Sequence, residues 1–323
     1  MNRPEKIPLL AVVGPTASGK TALAVELAKR LNGEVVSADS MQIYQEMQIG
    51  TARPTKDEME GVPHHLLGFL PLSESFSVAQ YVELAGKTVR EIASRGKLPI
   101  LAGGTGLYVS SLVENVSFTE TARDDALREE LCRRGEREGG EALLQELTQF
   151  DPESAARLHP NNLGRIIRAI EIYRTSGITM TEQLKRSREV PSPYQFCGIG
   201  LTFADREKLY DRINLRVDRM MEAGLEEEAR RVLALPGGQT ALQAIGYKEL
   251  SPYLNGDCTK EEALENLKRQ TRRYAKRQLT WFRRDERIHW LEADRFASRE
   301  ELVKEAERIV RESGLGAEGE NIG

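Results

Sequence analysis

Residues 14–21 read Gly14-Pro15-Thr16-Ala17-Ser18-Gly19-Lys20-Thr21 and fill every fixed position of the pattern G-x-x-x-x-G-K-[ST]. The chemistry of that spacing is polyphosphate capture. The amides of Gly14, Thr16, Ala17, Ser18 and Gly19, with the N-terminus of the helix that follows, form an anion-binding concavity. Lys20 adds a mobile positive charge, and the Thr21 hydroxyl is placed to hold Mg²⁺. The loop implies a bound polyphosphate. It does not say which one, nor what is done to it.

Two further segments bring reactive groups to the same place. The run Val35-Val36-Ser37-Ala38 leads into Asp39-Ser40-Met41-Gln42-Ile43-Tyr44. In an open parallel sheet, strand ends beside a phosphate loop border the active crevice. Asp39 there could accept a proton from a nucleophile, ligate Mg²⁺ through water, or merely cap the next helix. The run Leu98–Ala102 ends in Gly103-Gly104-Thr105-Gly106-Leu107-Tyr108. A motor or switch NTPase needs an acidic residue at that strand end to hold Mg²⁺. None is present, which points to an enzyme that uses the polyphosphate as substrate rather than fuel. The glycines permit close approach of backbone to a ligand, and Thr105 offers a hydroxyl; a purely structural turn is the alternative.

The segment Lys268–Arg284 (KRQTRRYAKRQLTWFRR) holds eight Lys/Arg and no Asp/Glu. At helical spacing Leu264, Leu267, Thr271, Tyr274, Gln278 and Trp281 trace a side that can pack on a core. Arg269, Arg272, Arg273, Lys276 and Arg283 fall largely elsewhere. A helix so one-signed repels itself unless an anion is near, and nucleic-acid phosphate is the natural partner. A solvated basic face is the plainer reading. Arg165 and Arg168, with Arg174, form a second basic group on one helix.

The elements that must position these groups read as α/β. Buried-strand runs occur at Leu9–Val13, Glu34–Ala38, His65–Phe69, Pro99–Ala102, Gly198–Thr202 and Ile288–Leu291, mostly separated by helical stretches. The expected fold is a phosphate-loop core with a mostly parallel sheet flanked by helices, plus an inserted all-helical domain. Helices are expected at Asp124–Glu136, Gly140–Gln149, Asp151–Leu158 and Arg165–Ser176. The insert would span 117–193, with Pro191-Ser192-Pro193 as return hinge; an ordinary long crossover is the alternative. The core would comprise 1–116 and 194–312, and the small, acidic, Gly-rich end 313–323 reads as a disordered tail.

Composition narrows the class. With 323 residues, 40% hydrophobic and 30% charged, the chain suits one large domain with an insert, or two domains. No run approaches a membrane span and the N-terminus lacks a signal-peptide core, so a cytoplasmic protein is expected. Cys132, Cys197 and Cys258 are widely spaced, which fits a reducing compartment. His64-His65 has no second histidine or cysteine at ligand spacing to make a zinc site; the others are His159 and His289. The net charge of −4 would not by itself suggest nucleic acid; its uneven distribution does.

Taken together, these segments resemble the tRNA dimethylallyltransferases, also called tRNA isopentenyltransferases. The resemblance rests on Gly14–Thr21, Asp39–Tyr44, Gly103–Tyr108, Asn161–Glu171 (NNLGRIIRAIE), Gln243–Glu249 (QAIGYKE) and Lys276–Arg283 (KRQLTWFR), and runs from Leu9 to about Leu291. The ordered set is specific where the phosphate loop alone is not. The zinc finger that eukaryotic relatives often carry is absent, which looks like the bacterial form.

The resemblance implies transfer of a dimethylallyl group from dimethylallyl diphosphate to N6 of the adenosine 3′-adjacent to the anticodon, in tRNAs reading codons that begin with U. Diphosphate leaves. It implies a catalytic set of Asp39 as base, Thr105 orienting the adenine, and Lys20 with Arg216 on the leaving diphosphate; Arg212 is the rival of Arg216. Mg²⁺ would sit on Thr21. Asp39, Ser40, Met41, Gln42 and Thr105 would meet the flipped base and its neighbours. Gln243, Gly246, Tyr247 and Lys248 would grip the tRNA, as would Lys276, Arg277, Gln278, Trp281 and Arg283. Arg165 and Arg168 would approach from the insert, and Arg128 is either a further contact or only a surface arginine. A single chain without membrane contact is expected to suffice. Two other readings remain open at this point: an ATP-dependent kinase of a small molecule or nucleoside, and a non-catalytic RNA-binding protein gated by a nucleotide.

Overall fold

Mostly apolar runs supply the strands Ile7–Val13 (β1), Gly33–Ser37 (β2), Leu98–Gly103 (β4), Tyr194–Thr202 (β5) and Ile288–Glu292 (β6), and the pair His64–His65 (β3) completes six. The computed structural model describes residues 6–116, 124–187 and 189–315. The strands form one sheet in the order β3-β2-β4-β1-β5-β6, every pair parallel. Helices cover both faces. Leu10, Val12, Ile100 and Ile199 pack toward Lys20–Arg30 and Arg299–Glu312, while Leu9, Ala11, Val13 and Leu101 pack toward Val78–Ser94. Alternate residues of one strand thus serve two cores, so these strands are apolar throughout.

β3 is shorter than the expected run His65–Phe69. Leu66 (φ +62°) and Gly68 (φ +55°) turn left-handed and take the chain out of the sheet. The Gly68 and Phe69 amides then donate to the carbonyls of Gln42 and Ile43 instead. That pairing ties the chain to the segment carrying Asp39.

Under the sheet, Glu34 is 3% exposed and accepts from His65 Nε2 (2.7 Å), Arg95 Nη2 (2.6 Å) and Lys97 Nζ (2.8 Å). Burial pushes its pKa up, but hydrogen bonds from Lys97 and His65 and the charges of Arg95 and Lys97 outweigh it, leaving about 2. The unfolded chain takes a proton here near 4.5 and the folded one near 2. The contribution is therefore complete above 4.5 and is lost as pH falls toward 2. Glu34→Gln is expected to cost about 3 kcal/mol at pH 7 and to flatten the acid limb of stability. Urea unfolding of both proteins at pH 7 and at pH 3 checks this; a loss that is the same at both pH values removes the linkage.

The chain divides into two compact units, residues 1–113 with 193–323, and residues 114–192. Among its described residues the second is all helix: Asp125–Glu138, Gly140–Phe150, Pro152–Ala155, Leu163–Ser176 and Met180–Arg186. Leu131, Leu143, Leu147, Ile166 and Ile170 form its core. The helix Met180–Arg186 was not expected. Its signal is Thr179, whose hydroxyl accepts from the Glu182 amide three residues on.

In the first unit Arg206–Glu222, Leu225–Leu233, Tyr247–Leu254 and Lys260–Phe282 pack around a further core containing Val217, Leu225, Tyr247 and Leu267. The expected tail 313–323 starts too early: Leu315 is fully buried, and the Ser313 carbonyl accepts from Gln195 Nε2. Residues 316–323 of that tail lie outside the described residues, as do 117–123 of the expected insert.

Candidate active site

β1 runs directly into the phosphate loop. Gly14 (φ +140°) lies so close to β5 that a Cβ there would stand 2.4 Å from the Leu201 carbonyl oxygen. Gly19 (φ +100°) opens the helix Lys20–Arg30. β2 and β4 end equally close together, since a Cβ on Gly103 would be 2.2 Å from the Ala38 oxygen. Three strand ends thereby converge on one cavity of about 270 Å³. Thr16, Lys20 and Thr21 form one wall and Asp39–Gln42 another. Arg216, Tyr274 and Arg277 come from the later helices, and Gln243 and Gly246 from the turn before Tyr247–Leu254. Ile213, Val217, Met220 and Leu225 supply apolar lining.

Electrostatically the phosphate wall is under-neutralised. Lys20 Nζ donates to the Pro15 carbonyl at 2.8 Å. Burial brings its pKa down to about 7; Arg216 pushes the same way and Asp39 opposes. Burial also lowers Arg216, against the pull of Asp39 and Glu58. Two basic side chains close to one another, both half-buried and both lining the cavity, are a ready site for a dianion or trianion. Ser18 Oγ is buried without a hydrogen-bond partner among the described residues. A phosphate oxygen would satisfy it. Arg216 lines this cavity and Arg212 does not; Arg212 Nε is tied to the Ala17 carbonyl at 2.9 Å and its guanidinium lies over Phe203.

Asp39 does two jobs at once. Its Oδ1 accepts from the amides of Met41 (2.9 Å) and Gln42 (3.4 Å), the capping role. Its Oδ2 has no hydrogen bond among the described residues, and Asp39 lines the cavity. The Thr105 hydroxyl accepts from the Ser40 amide at 3.0 Å and donates to Ser40 Oγ at 3.3 Å. It ties the turn Asp39–Gln42 to the β4 loop and lies beside Tyr274, which lines the cavity.

Three other expected contact residues are spent internally. The Gln42 amide donates to Thr51 and Ala52 carbonyls at 3.2 Å each, and its Oε1 accepts from Ser37 Oγ. Gln278, 5% exposed, accepts from the Thr16 amide (2.9 Å) and donates to the Gly104 carbonyl (3.0 Å). It bolts the phosphate loop to the β4 loop. Tyr247 is fully buried and donates to Glu228 Oε1 at 2.8 Å. Glu228 itself accepts the amides of Gln48, Ile49 and Gly50, fixing the loop beside the cavity. Sequence reasoning missed Glu228. Its signal was position: it shares a helix face with Leu225, Ala229 and Val232, a carboxylate where an apolar residue belongs.

The basic helix begins at Lys260 and is less one-signed than its last two-thirds. Lys268 pairs with Asp218 (2.6 Å), and Arg272 with Glu265 (3.2 Å) and Asn214 (2.8 Å). Among the described residues no carboxylate pairs with Lys276, Arg277 or Arg283, all exposed. Trp281, expected on the packed side, is 37% exposed; one edge covers Gly106, where a Cβ would meet the ring at 2.2 Å. Gln243 and Lys248 are exposed.

Within the second unit, Arg174 pairs with Glu146 (2.7 Å), which removes it from the expected basic group. Arg165 is exposed. Arg128 and Arg168 approach Glu171.

Comparison with known proteins places this geometry. Residues 42–285 match the family described as IPP transferase. A tRNA dimethylallyltransferase of Acetivibrio thermocellus is 48% identical over 95% of this chain and 98% of its own. One of Bacillus subtilis is 51% identical over 89% and 91%. Among solved structures, the full-length tRNA isopentenylpyrophosphate transferase of Bacillus halodurans has TM-score 0.71 and 46% identity, covering 95% of this chain and 97% of that one. A eukaryotic dimethylallyltransferase captured acting on tRNA has TM-score 0.76 and 28% identity, covering 89% and 74%.

Proposed function

Since this chain belongs to the IPP transferase family, we propose that it transfers a dimethylallyl group from dimethylallyl diphosphate to N6 of the adenosine 3′-adjacent to the anticodon, in tRNAs reading U-starting codons, with release of diphosphate. It acts as a single chain, in the cytoplasm; no described helix is long and apolar enough to cross a membrane. The observation that carries the reading is the composition of one cavity. It joins cations at the phosphate loop, a carboxylate with one oxygen free of hydrogen bonds, and the apolar side chains of Ile213, Val217, Met220 and Leu225. A prenyl diphosphate asks for the same kinds of lining. A kinase would leave both the apolar lining and the exposed cations of Lys276–Arg283 without a task.

The diphosphate lies against the loop amides, Lys20 and Arg216, which stabilise the charge it gains as the carbon–oxygen bond breaks. The adenine N6 lone pair is delocalised into the ring, so the amine is a weak nucleophile. Asp39 Oδ2 takes the proton from N6 as the carbon–nitrogen bond forms. Thr105 and Gln42 keep that carboxylate aimed by holding its turn. Mg²⁺ fits Thr21, whose Oγ1 is a hard oxygen donor at the phosphate loop and would hold the ion there, leaving Asp39 Oδ2 free as base. When bound it would neutralise charge on the diphosphate.

The adenosine must leave the loop stack to reach the cavity, at a cost of a few kcal/mol, about what a flipped base usually requires. Ser40, Met41, Gln243 and Gly246 border its path. Lys248, Lys276, Arg277, Trp281 and Arg283 hold the loop and stem, with Arg128, Arg165 and Arg168 of the helical unit. Replacing Lys276 and Arg277 with Ala should weaken tRNA binding and reduce its salt slope by about 1–2. Titrations at several salt concentrations check this, and an unchanged slope takes that helix out of the interface.

The deciding assay offers the protein Mg²⁺, tRNA and either dimethylallyl diphosphate or ATP, and weighs the RNA. A gain of one C5H8 unit with the prenyl donor alone is expected. Phosphate transfer from ATP to a small acceptor, with no RNA gain, would replace this reading by the kinase.

A further inference from the structure

Glu171 lies in the core-facing half of the helix Leu163–Ser176 and is fully buried. A carboxylate in that position is costly unless cations hold it. Two do: Arg168 Nη1 from its own helix at 3.1 Å and Arg128 Nη1 from Asp125–Glu138 at 3.5 Å, both on Oε2. Neither carboxylate oxygen has a hydrogen bond of good geometry among the described residues. The arginine side chains are 40% and 44% exposed, so each is held by Glu171 and still presents side-chain surface to solvent. Arg165, three residues before Arg168, is exposed as well.

We propose that Glu171 is a positioning residue for RNA: it fixes Arg128 and Arg168, from two helices, as one phosphate-binding pair. The inference rests on the reading of tRNA as substrate. A free arginine must lose rotamer freedom when it meets a phosphate, whereas one already held by Glu171 loses less. Net charge argues the other way. A carboxylate behind an RNA-binding face repels phosphate, so removing it should tighten binding if Glu171 acts only by charge. The two accounts therefore predict opposite signs for the same substitution.

The test uses the full chain and a tRNA transcript, with binding followed across a salt series. Glu171→Gln is expected to weaken binding about tenfold, the scale of a charged hydrogen bond or two, and to flatten the salt slope by about 1. KM for tRNA should rise while kcat and the donor KM hold. Arg128→Ala should cost less in the Glu171→Gln background than in the wild type. Unchanged or tighter binding of Glu171→Gln, or an equal cost of Arg128→Ala in both backgrounds, overturns the proposal. If Arg128→Ala and Arg168→Ala also bind tRNA normally, the pair is not an RNA contact and the proposal falls while the reading of tRNA as substrate stands; if the wild-type chain binds no tRNA at all, that wider reading falls instead. Should a thermal melt show that the amide variant loses the helical unit, Glu171→Asp carries the same expectation, because it keeps the charge and shortens the reach.

Discussion

Asp39→Asn is expected to lower turnover by about 10²–10⁴ while tRNA binding stays within a few-fold, the range of a lost general base. Asn is the informative substitution because Asp39 Oδ1 accepts from the Met41 and Gln42 amides. Alanine removes the base and the turn together. Asparagine keeps an acceptor for the turn and loses only the group that takes the proton. Asp39→Ala should therefore fall further, and its excess over Asn measures the capping role. Single-turnover rates with saturating tRNA and donor separate these. If Asp39→Asn reacts within threefold of wild type, N6 loses its proton to something else and Asp39 is only a cap.

That double role also shows what the sequence could carry. Spacing left Asp39 between cap and base because each needs a carboxylate at a strand end. In the fold the cap uses Oδ1 alone, which leaves Oδ2 for the proposed task of base. The phosphate loop and the strand positions were legible because they are local: a fixed pattern, apolar runs and glycine punctuation. The departures are long-range. Gln278 and Tyr247 look like contact residues inside motifs rich in exposed cations. Yet Gln278 meets Thr16, 262 positions away, and Tyr247 meets Glu228. Nothing at either end announces the other.

The same holds for the apolar lining of the cavity. Ile213, Val217 and Met220 read as the packing stripe of an ordinary helix, and Ile213 and Val217 are indeed buried. Only the turn at Gly224 and the return of Leu225 make that stripe close a cavity. Likewise the charge run predicted a self-repelling helix, but Asp218 and Glu265 neutralise Lys268 and Arg272. Among the described residues Arg269, Arg273, Lys276, Arg277 and Arg283 keep no carboxylate partner, so the cations left for phosphate lie from the middle of the helix to its end.

Lys20→Met is expected to lower kcat/KM for the donor by about 10²–10³, the loss typical of one preorganised donor to developing charge. Its pH dependence identifies the residue. In the free protein burial brings Lys20 to about 7, Arg216 pushing with it and Asp39 against. An unfolded lysine holds its proton to 10.5, so between 7 and 10.5 the unfolded chain binds more protons and the ligand-free fold gains stability as pH rises. Diphosphate reverses the balance. Its charge favours protonated Lys20, so above pH 7 binding must take up close to one proton. For that reason kcat/KM for the donor should fall by up to about tenfold per pH unit above 7, because it reports the free protein. The kcat profile should stay flat through the same range, since the bound diphosphate has already restored the charge. In Lys20→Met the alkaline fall of kcat/KM should vanish, and calorimetry in buffers of different ionisation enthalpy should show the proton uptake vanish with it. An alkaline limb that survives in Lys20→Met would assign the titration to another group and leave Lys20 charged in the empty site.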